Sequence, residues 1–169
     1  KAVGLQEEYK RLYPHGSLAG NLLGFVGTDG EGLEGVEYMF NKDLKGRDIK
    51  SVFYLGKLAI GPITEDMETK EIQLTIDLGV QTMLEDIRDK IVKQWNPDRV
   101  GILVMDVKSG EILGLSNYPT YDPNNYQKYN PFHRKNFVAT DLFEPGSVMK
   151  PFFIGQALQK GHVRPGMWI

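Results

Sequence analysis

The order of its patterned segments predicts an α+β chain built around an antiparallel sheet. Three observations carry that prediction. An amphipathic helical pattern runs through Val80, Leu84, Ile87, Ile91 and Trp95. Two apolar runs follow at residues 100–107 and 111–115, joined by Lys108-Ser109-Gly110, which reads as a hairpin. A second helix with an apolar body begins near Ser147, after a long loop. Helices and a hairpin that do not alternate as βαβ units point to α+β rather than to a parallel sheet.

Taken in order, residues 5–12 fit a short helix ended by Pro14 and Gly16. Leu33, Val36, Phe40 and Leu44 recur at helical spacing, with Gly46 as a stop. Residues 51–60 are strand-like. Gly61-Pro62 and the charged stretch TEDMETKE then read as a linker or surface excursion. Residues 72–76 (IQLTI) alternate like a strand, and Asp77 is placed to cap the helix that Asn96-Pro97 ends. Residues 117–133 form a loop dense in Pro, Asn and Tyr, of a length that is usually functional or mobile. Pro145-Gly146 interrupts the chain before Ser147, Pro151 falls in a first turn, and Gly161 is a natural stop. Phe152, Phe153, Ile154, Ala157 and Leu158 give that last helix an apolar body to bury.

Composition narrows the functional classes. The 169 residues are 41% hydrophobic and 25% charged, with a formal net charge of −2, so there is no electrostatic case for nucleic acid. There are no cysteines, which excludes disulfides, thiol catalysis and cysteine-held metals. His15, His133 and His162 show no ligand spacing. No metal or cofactor is expected. The longest apolar stretch is too short to span a bilayer, and no signal peptide is visible. The chain starts at Lys1 and stops in mid-pattern after Met167-Trp168-Ile169, and it reads as a fragment.

Ser147 and Lys150 carry the chemistry. Residues three apart share a helical face, so a lysine there can take the proton of a serine hydroxyl, which is a weak nucleophile without a base beside it. S-x-x-K is the pattern of serine acyl-transferases that react with penicillin. The plainer role for Ser147 is a helix N-cap, which it could fill as well. Other patterns are decoys. Gly30, Gly32 and Gly35 satisfy G-x-G-x-x-G, but no strong strand precedes them and Glu31 and Glu34 would face a pyrophosphate with like charge. Glu7-Glu8, Glu65-Asp66 and Glu85-Asp86 are adjacent carboxylates that do not face each other on a helix. Tyr118, Tyr121, Tyr126 and Tyr129 fit loop packing better than ligand stacking, and Trp95 reads as the end of a core stripe.

The stretch Arg134 to Phe152, RKNFVATDLFEPGSVMKPF, closely resembles the active-site segment of class B penicillin-binding proteins, the monofunctional D,D-transpeptidases of cell-wall synthesis. Four further segments match in order. Arg11-Leu12-Tyr13-Pro14-His15-Gly16 is similar to the R-x-Y-P-x-G box of the family's non-catalytic pedestal. Gly24-Phe25, then Gly32-Leu33-Glu34-Gly35-Val36-Glu37, Phe40 and Leu44-Lys45-Gly46, resemble that module's second box. Leu74-Thr75-Ile76-Asp77 with Gln81 resembles the start of the transpeptidase domain, and Pro119-Thr120-Tyr121-Asp122-Pro123-Asn124 its P-x-Y-D-P-N loop.

The resemblance implies pedestal over residues 1–70 and the first part of the transpeptidase domain over 71–169, truncated after the S-x-x-K helix. It implies Ser147 as acylated nucleophile, Lys150 as general base and the Ser147 backbone N–H as half of an oxyanion hole. The expected partners are a peptidoglycan stem peptide ending in D-Ala-D-Ala, penicillin and other β-lactams, and a membrane glycan polymerase with division or elongation proteins. The expected location is the outer face of the cell membrane. The family's S-x-N and K-T-G motifs lie far downstream of S-x-x-K, and no K-T-G occurs in this chain. The piece alone is therefore expected to be inactive. A serine β-lactamase would have little chain before its serine, whereas 146 residues precede Ser147 here. A β-lactam sensor or non-catalytic scaffold is the remaining alternative.

Overall fold

The computed structural model describes residues 10–45, 53–55, 58–60 and 70–168. They fall into two compact units that divide between Ala139 and Thr140. The fold is α+β, with antiparallel two-stranded sheets. Of the helix expected at 5–12, residues 10–12 are irregular and 5–9 lie outside the described residues, as do Gly46 and the excursion at 61–69.

In the first unit the helical repeat from Leu33 to Leu44 is split. Helices α1 (Gly20–Leu23), α2 (Gly35–Met39) and α3 (Asn41–Leu44) are short, and Phe40 leaves helical geometry at φ −107° and ψ 23° between the last two. The strand-like run resolves into β1 (Phe53–Leu55) and β2 (Leu58–Ile60), paired antiparallel.

Residues 72–76 are not a strand. Thr75 spends its hydroxyl on the Ile112 carbonyl at 2.7 Å, and only the Asp77 N–H reaches the neighbouring backbone, at Leu113 O, 2.9 Å. Asp77 caps α4 (Leu78–Trp95) as expected, accepting the Val80 N–H at 2.8 Å. Asn96, left-handed at φ 45°, ends it.

The buried face of α4 differs from the expected stripe. Gln81, Leu84, Glu85 and Arg88 are buried, while Trp95 is 71% exposed and Ile87 39%. The i, i+3, i+4, i+7 spacing holds, rotated onto a largely polar edge. This is tolerated because each polar group finds a partner. Gln81 clamps one backbone position of the sheet, donating to Leu115 O and accepting from Leu115 N, both at 2.9 Å.

That sheet is β3 (Val100–Met105) with β4 (Ile112–Tyr118), in register at Leu103↔Leu115 and shifted between Val104 and Met105. Asp106 shapes its turn by accepting the N–H groups of Lys108 and Ser109 at 2.7 and 2.9 Å, which lowers its carboxyl pKa. Helix α4 lies so close to β4 that a Cβ on Gly114 would sit 2.7 Å from Leu84 Cδ1.

The long loop after β4 is packed rather than loose. Tyr121 is 1% exposed, as is Asn117 near the end of β4 just before it in sequence. Asp122 caps a 3-10 turn over Pro123–Lys128, and Asn130 caps α5 (Pro131–Arg134). The early boxes close on this loop. Tyr13 exchanges two hydrogen bonds with the Asn124 side chain, at 2.9 and 2.8 Å. Asn21 donates to His133 O at 2.7 Å and accepts from the Thr120 hydroxyl at 2.8 Å. Phe25 stacks on Tyr126 with centroids 4.0 Å apart, and Arg134 lies over the Phe25 ring while pairing with Glu34 at 3.2 Å. Two glycines of the G-x-G-x-x-G pattern serve this packing, since a Cβ on Gly32 would fall 2.0 Å from Glu37 O and one on Gly35 2.4 Å from Leu22 O, while Gly30 has open space around it and turns the chain at φ 78°.

Helix α6 (Phe137–Thr140) begins with the Val138 N–H held by Asn117 Oδ1 at 3.2 Å. The second unit carries a 3-10 turn at Gly146–Met149 and α7 (Lys150–Gln159). Gly161, at φ 72°, stops α7 as expected: the His162 N–H bonds Ala157 O at 2.9 Å and the Gly161 N–H bonds Leu158 O at 3.0 Å.

Candidate active site

Ser147 sits inside the 3-10 turn, and Lys150 is the first residue of α7. The local sequence explains the junction. Gly146 takes a left-handed φ of 54°, a conformation glycine adopts without a Cβ clash. The Val148 N–H then closes on Pro145 O at 3.2 Å, and the Lys150 N–H closes on Ser147 O. Pro151 occupies the first turn of α7, where its missing N–H has no partner to lose.

A 3-10 turn has three residues per turn, so side chains at i and i+3 eclipse. Ser147 and Lys150 therefore leave the backbone along one edge, closer to alignment than on an α-helix. The capping role weighed for Ser147 is absent. The N-cap positions are Pro145 for the turn and Met149 for α7, and neither makes a side-chain cap bond. With no cap to make, the hydroxyl is left for other chemistry.

Burial of α7 is not observed. It has no buried residue, and Phe152 and Phe153 are 68% and 66% exposed. Among the described residues of its unit there is one helix and one 3-10 turn, which leaves the apolar face of α7 without a packing partner inside that unit. Ser147 and Lys150 are exposed too.

The decoys resolve simply. Glu85 is buried and Asp86 exposed, so that pair does not converge on a substrate. Glu7-Glu8 and Glu65-Asp66 lie outside the described residues. Tyr121, Tyr126 and Tyr129 join Phe25 in an aromatic cluster. Burial, with Glu34 nearby, pushes the Tyr121 hydroxyl pKa far above its usual value, and burial with Glu37 nearby does the same to Tyr13. Among the described residues no group of three His, Asp or Glu could hold a metal, and no helix is long and apolar enough to cross a membrane.

The sequence reading missed the buried polar set Glu85, Arg88 and Asn117. The Glu85 carboxylate collects the Ala19 N–H at 2.7 Å, the Gln81 amide at 2.9 Å and Arg88 at 3.2 Å. Arg88 passes on to Ser116 Oγ at 3.2 Å and Asn117 O at 3.4 Å. The available signal was three polar residues at i, i+4 and i+7 flanking Leu84 on an otherwise amphipathic helix.

With the geometry in place, similarity to known proteins becomes informative. Residues 100–167 match the penicillin binding protein transpeptidase domain, a span that includes Ser147 and Lys150. A Pseudomonas aeruginosa protein named as a probable peptidoglycan D,D-transpeptidase, PbpC, is 37% identical over 160 residues. The Escherichia coli K12 peptidoglycan D,D-transpeptidase FtsI is 34% identical over 168 residues. These alignments cover 92% and 96% of this chain but 28% of either relative. The crystal structure of penicillin binding protein 3 from Mycobacterium tuberculosis, in its apo form, superposes with a TM-score of 0.77 at 29% identity. That superposition covers 95% of this chain and 34% of the solved one. The chain thus spans about a third or less of the length of these relatives.

Proposed function

Because this chain belongs to the penicillin-binding protein family, we propose that it is the part of a peptidoglycan D,D-transpeptidase that carries the acylated serine. In this reading residues 1–70 contribute to the pedestal and 71–169 begin the transpeptidase domain. The observation that carries it is the Ser147–Lys150 pair, one 3-10 turn apart at the start of α7 and inside the matched span.

The chemistry follows from those two side chains. Ser147 Oγ attacks the carbonyl of the penultimate D-alanine while Lys150 Nζ takes the hydroxyl proton. The carbonyl oxygen gains the negative charge, and the Ser147 N–H is one of the donors that stabilise it. The intermediate collapses with cleavage of the D-Ala–D-Ala amide, and the leaving nitrogen takes the proton back from Lys150. The ester that remains is attacked by an amine of a second stem peptide, which completes the transfer and frees Ser147. A β-lactam presents the same kind of amide and acylates the same oxygen. The site is placed on the outer face of the cell membrane, beside a glycan polymerase and the division or elongation proteins that work with it.

A lysine accepts a proton only when neutral, which requires surroundings that desolvate its ammonium or set a cation nearby. The chain contains no K-T-G to set such a cation there. The 169-residue chain alone is therefore expected not to acylate. The test is intact-mass measurement with a fluorescent penicillin. A longer protein carrying downstream S-x-N and K-T-G motifs should gain one adduct, lost in Ser147→Ala, while the 169-residue chain gains none. An adduct that survives Ser147→Ala overturns the assignment of the nucleophile.

A further inference from the structure

One buried amide joins the early helices to the stretch of chain that leads to Ser147. Asn21 lies in α1 and is 6% exposed. Its Nδ2 donates to His133 O at 2.7 Å and to Lys135 O at 3.3 Å, and its Oδ1 accepts the Thr120 hydroxyl at 2.8 Å. Both ends of the amide are therefore in use. Gly20 lets α1 come close enough for this. A Cβ there would fall 2.6 Å from Tyr121 O and 3.2 Å from Pro123 Cδ.

The stretch that Asn21 grips is held again on either side. Arg134 pairs with Glu34 at 3.2 Å and lies over the Phe25 ring. Further on, the Asn117 amide donates to Asn136 Oδ1 at 3.0 Å, and Asn117 Oδ1 accepts the Val138 N–H at 3.2 Å. Gly101 brings β3 against α6, since a Cβ on it would meet Val138 Cγ2 at 2.6 Å. Residues 133–138 are thus fastened to α1, to Glu34 and to the sheet.

Helix α6 runs on from this stretch to Thr140, and residues 141–145 alone separate it from the 3-10 turn that holds Ser147. The last of them is Pro145, whose ring restricts φ. A link of that length limits how far the turn can move once α6 is fixed. Such limits matter, because a misplacement of ~1 Å arising far from the chemistry can cost about a hundredfold in rate.

Granted the function proposed above, we propose that Asn21 is a positioning residue for acylation at Ser147. It takes no part in the chemistry and acts by holding the backbone of residues 133–138, from which α6 and then the nucleophile's turn follow. Asn124 supplies the contrast. It too ties an early box to the long loop, but its bonds go to the Tyr13 backbone and to Asp122 rather than to residues 133–138.

The test uses the longer protein that carries downstream S-x-N and K-T-G motifs, mixed rapidly with a fluorescent penicillin over a range of concentrations. Such data separate non-covalent affinity from the rate of the covalent step. Asn21→Leu, similar in size but without donor or acceptor, should slow the covalent step at least roughly tenfold with affinity kept within about twofold. Hydrogen exchange at the Val138 and Ala139 amides should quicken in the same variant while its melt stays cooperative. Asn124→Ala should lower the melting temperature yet hold the covalent rate within about twofold of the parent.

An unchanged covalent rate in folded Asn21→Leu, or an equal loss in Asn124→Ala, overturns the proposal. If Asn21→Leu does not fold, Asn21→Asp is read in the same way, since it keeps the acceptor for Thr120 and loses the donor for the two carbonyls. Failure of both variants to fold assigns Asn21 to folding alone and overturns the proposal too. A parent that gains no adduct, or an adduct that survives Ser147→Ala, overturns the function proposed above instead.

Discussion

Glu85 is a buried carboxylate that ties three groups of the first unit together. Its carboxylate joins a backbone N–H from the Tyr13–Asn21 segment, a side chain one turn earlier in α4 and the buried guanidinium of Arg88. Removing it leaves the Ala19 N–H and the Gln81 amide each short of an acceptor, and leaves Arg88 with the largely exposed Asp89, at 2.8 Å, as its remaining carboxylate beside Ser116 Oγ and Asn117 O. Breaking a buried, hydrogen-bonded ion pair from one side typically costs ~3–5 kcal/mol. Because Asp89 still screens Arg88, Glu85→Ala is expected to cost about 3 kcal/mol in urea unfolding. The variant Glu85→Leu/Arg88→Met should lose less than the sum of its single changes, since it removes both buried charges together. A Glu85→Ala midpoint equal to that of the parent would show that the carboxylate is dispensable. The sequence reading could not rank Glu85 this way. An acidic residue beside another on a helix looks solvated until the partners contributed from Ala19 and the sheet are known.

At the scale of elements, the ends of α4 were legible and its orientation was not. Asp77 and Asn96-Pro97 act through local backbone chemistry, which is written in adjacent residues. The face that α4 buries is set by what lies opposite, where β4 offers the Leu115 backbone to Gln81, the Ser116 hydroxyl to Arg88 and Gly114 to Leu84. Gly114 is what allows the approach. An added methyl group would meet Leu84 Cδ1 at 2.7 Å and Val80 Cγ1 at 3.2 Å, and Leu84 is only 3% exposed, with little room to turn aside. Overpacking of this kind costs ~1–3 kcal/mol. Gly114→Ala is therefore expected to lower stability by about 2 kcal/mol, with Leu84→Ala in the same chain relieving part of the clash while leaving its own cavity. Thermal melts of the two single variants and the double give the coupling directly. Strict additivity would mean that α4 and β4 do not touch at this point. The 72–76 segment makes the same point from the other side: its alternation is strand-like, yet it meets the neighbouring strand through the Thr75 hydroxyl on Ile112 O and the Asp77 N–H on Leu113 O rather than through a ladder.

At the scale of the molecule, the motif boxes were legible as chemistry but their mutual contacts were not. Arg11-Leu12-Tyr13-Pro14-His15-Gly16 and the P-x-Y-D-P-N loop were each marked by their residues, while the bond between Tyr13 and Asn124 spans 111 positions, beyond the reach of local periodicity. That closure buries two tyrosines. Tyr13 is 9% exposed and Tyr121 1%, and burial, reinforced by Glu37 for the first and Glu34 for the second, raises both hydroxyl pKa values well above the ordinary value near 10. A group whose folded pKa is raised holds its proton more tightly when folded. Below the unfolded value both states are protonated and stability is complete. Above it the unfolded chain releases protons that the folded chain retains, so stability falls as pH rises toward the folded values. Each such tyrosine contributes a slope of about 1.4 kcal/mol per pH unit. Denaturant unfolding should therefore show stability dropping above pH 10 by up to about 2.7 kcal/mol per unit, the two tyrosines acting together. Tyr121→Phe, which keeps the ring and removes the ionising group, should halve that slope while leaving stability at neutral pH within about 1 kcal/mol of the parent, since the hydroxyl it deletes has no hydrogen-bond partner. A slope unchanged by Tyr121→Phe would mean that the alkaline loss comes from groups outside this closure.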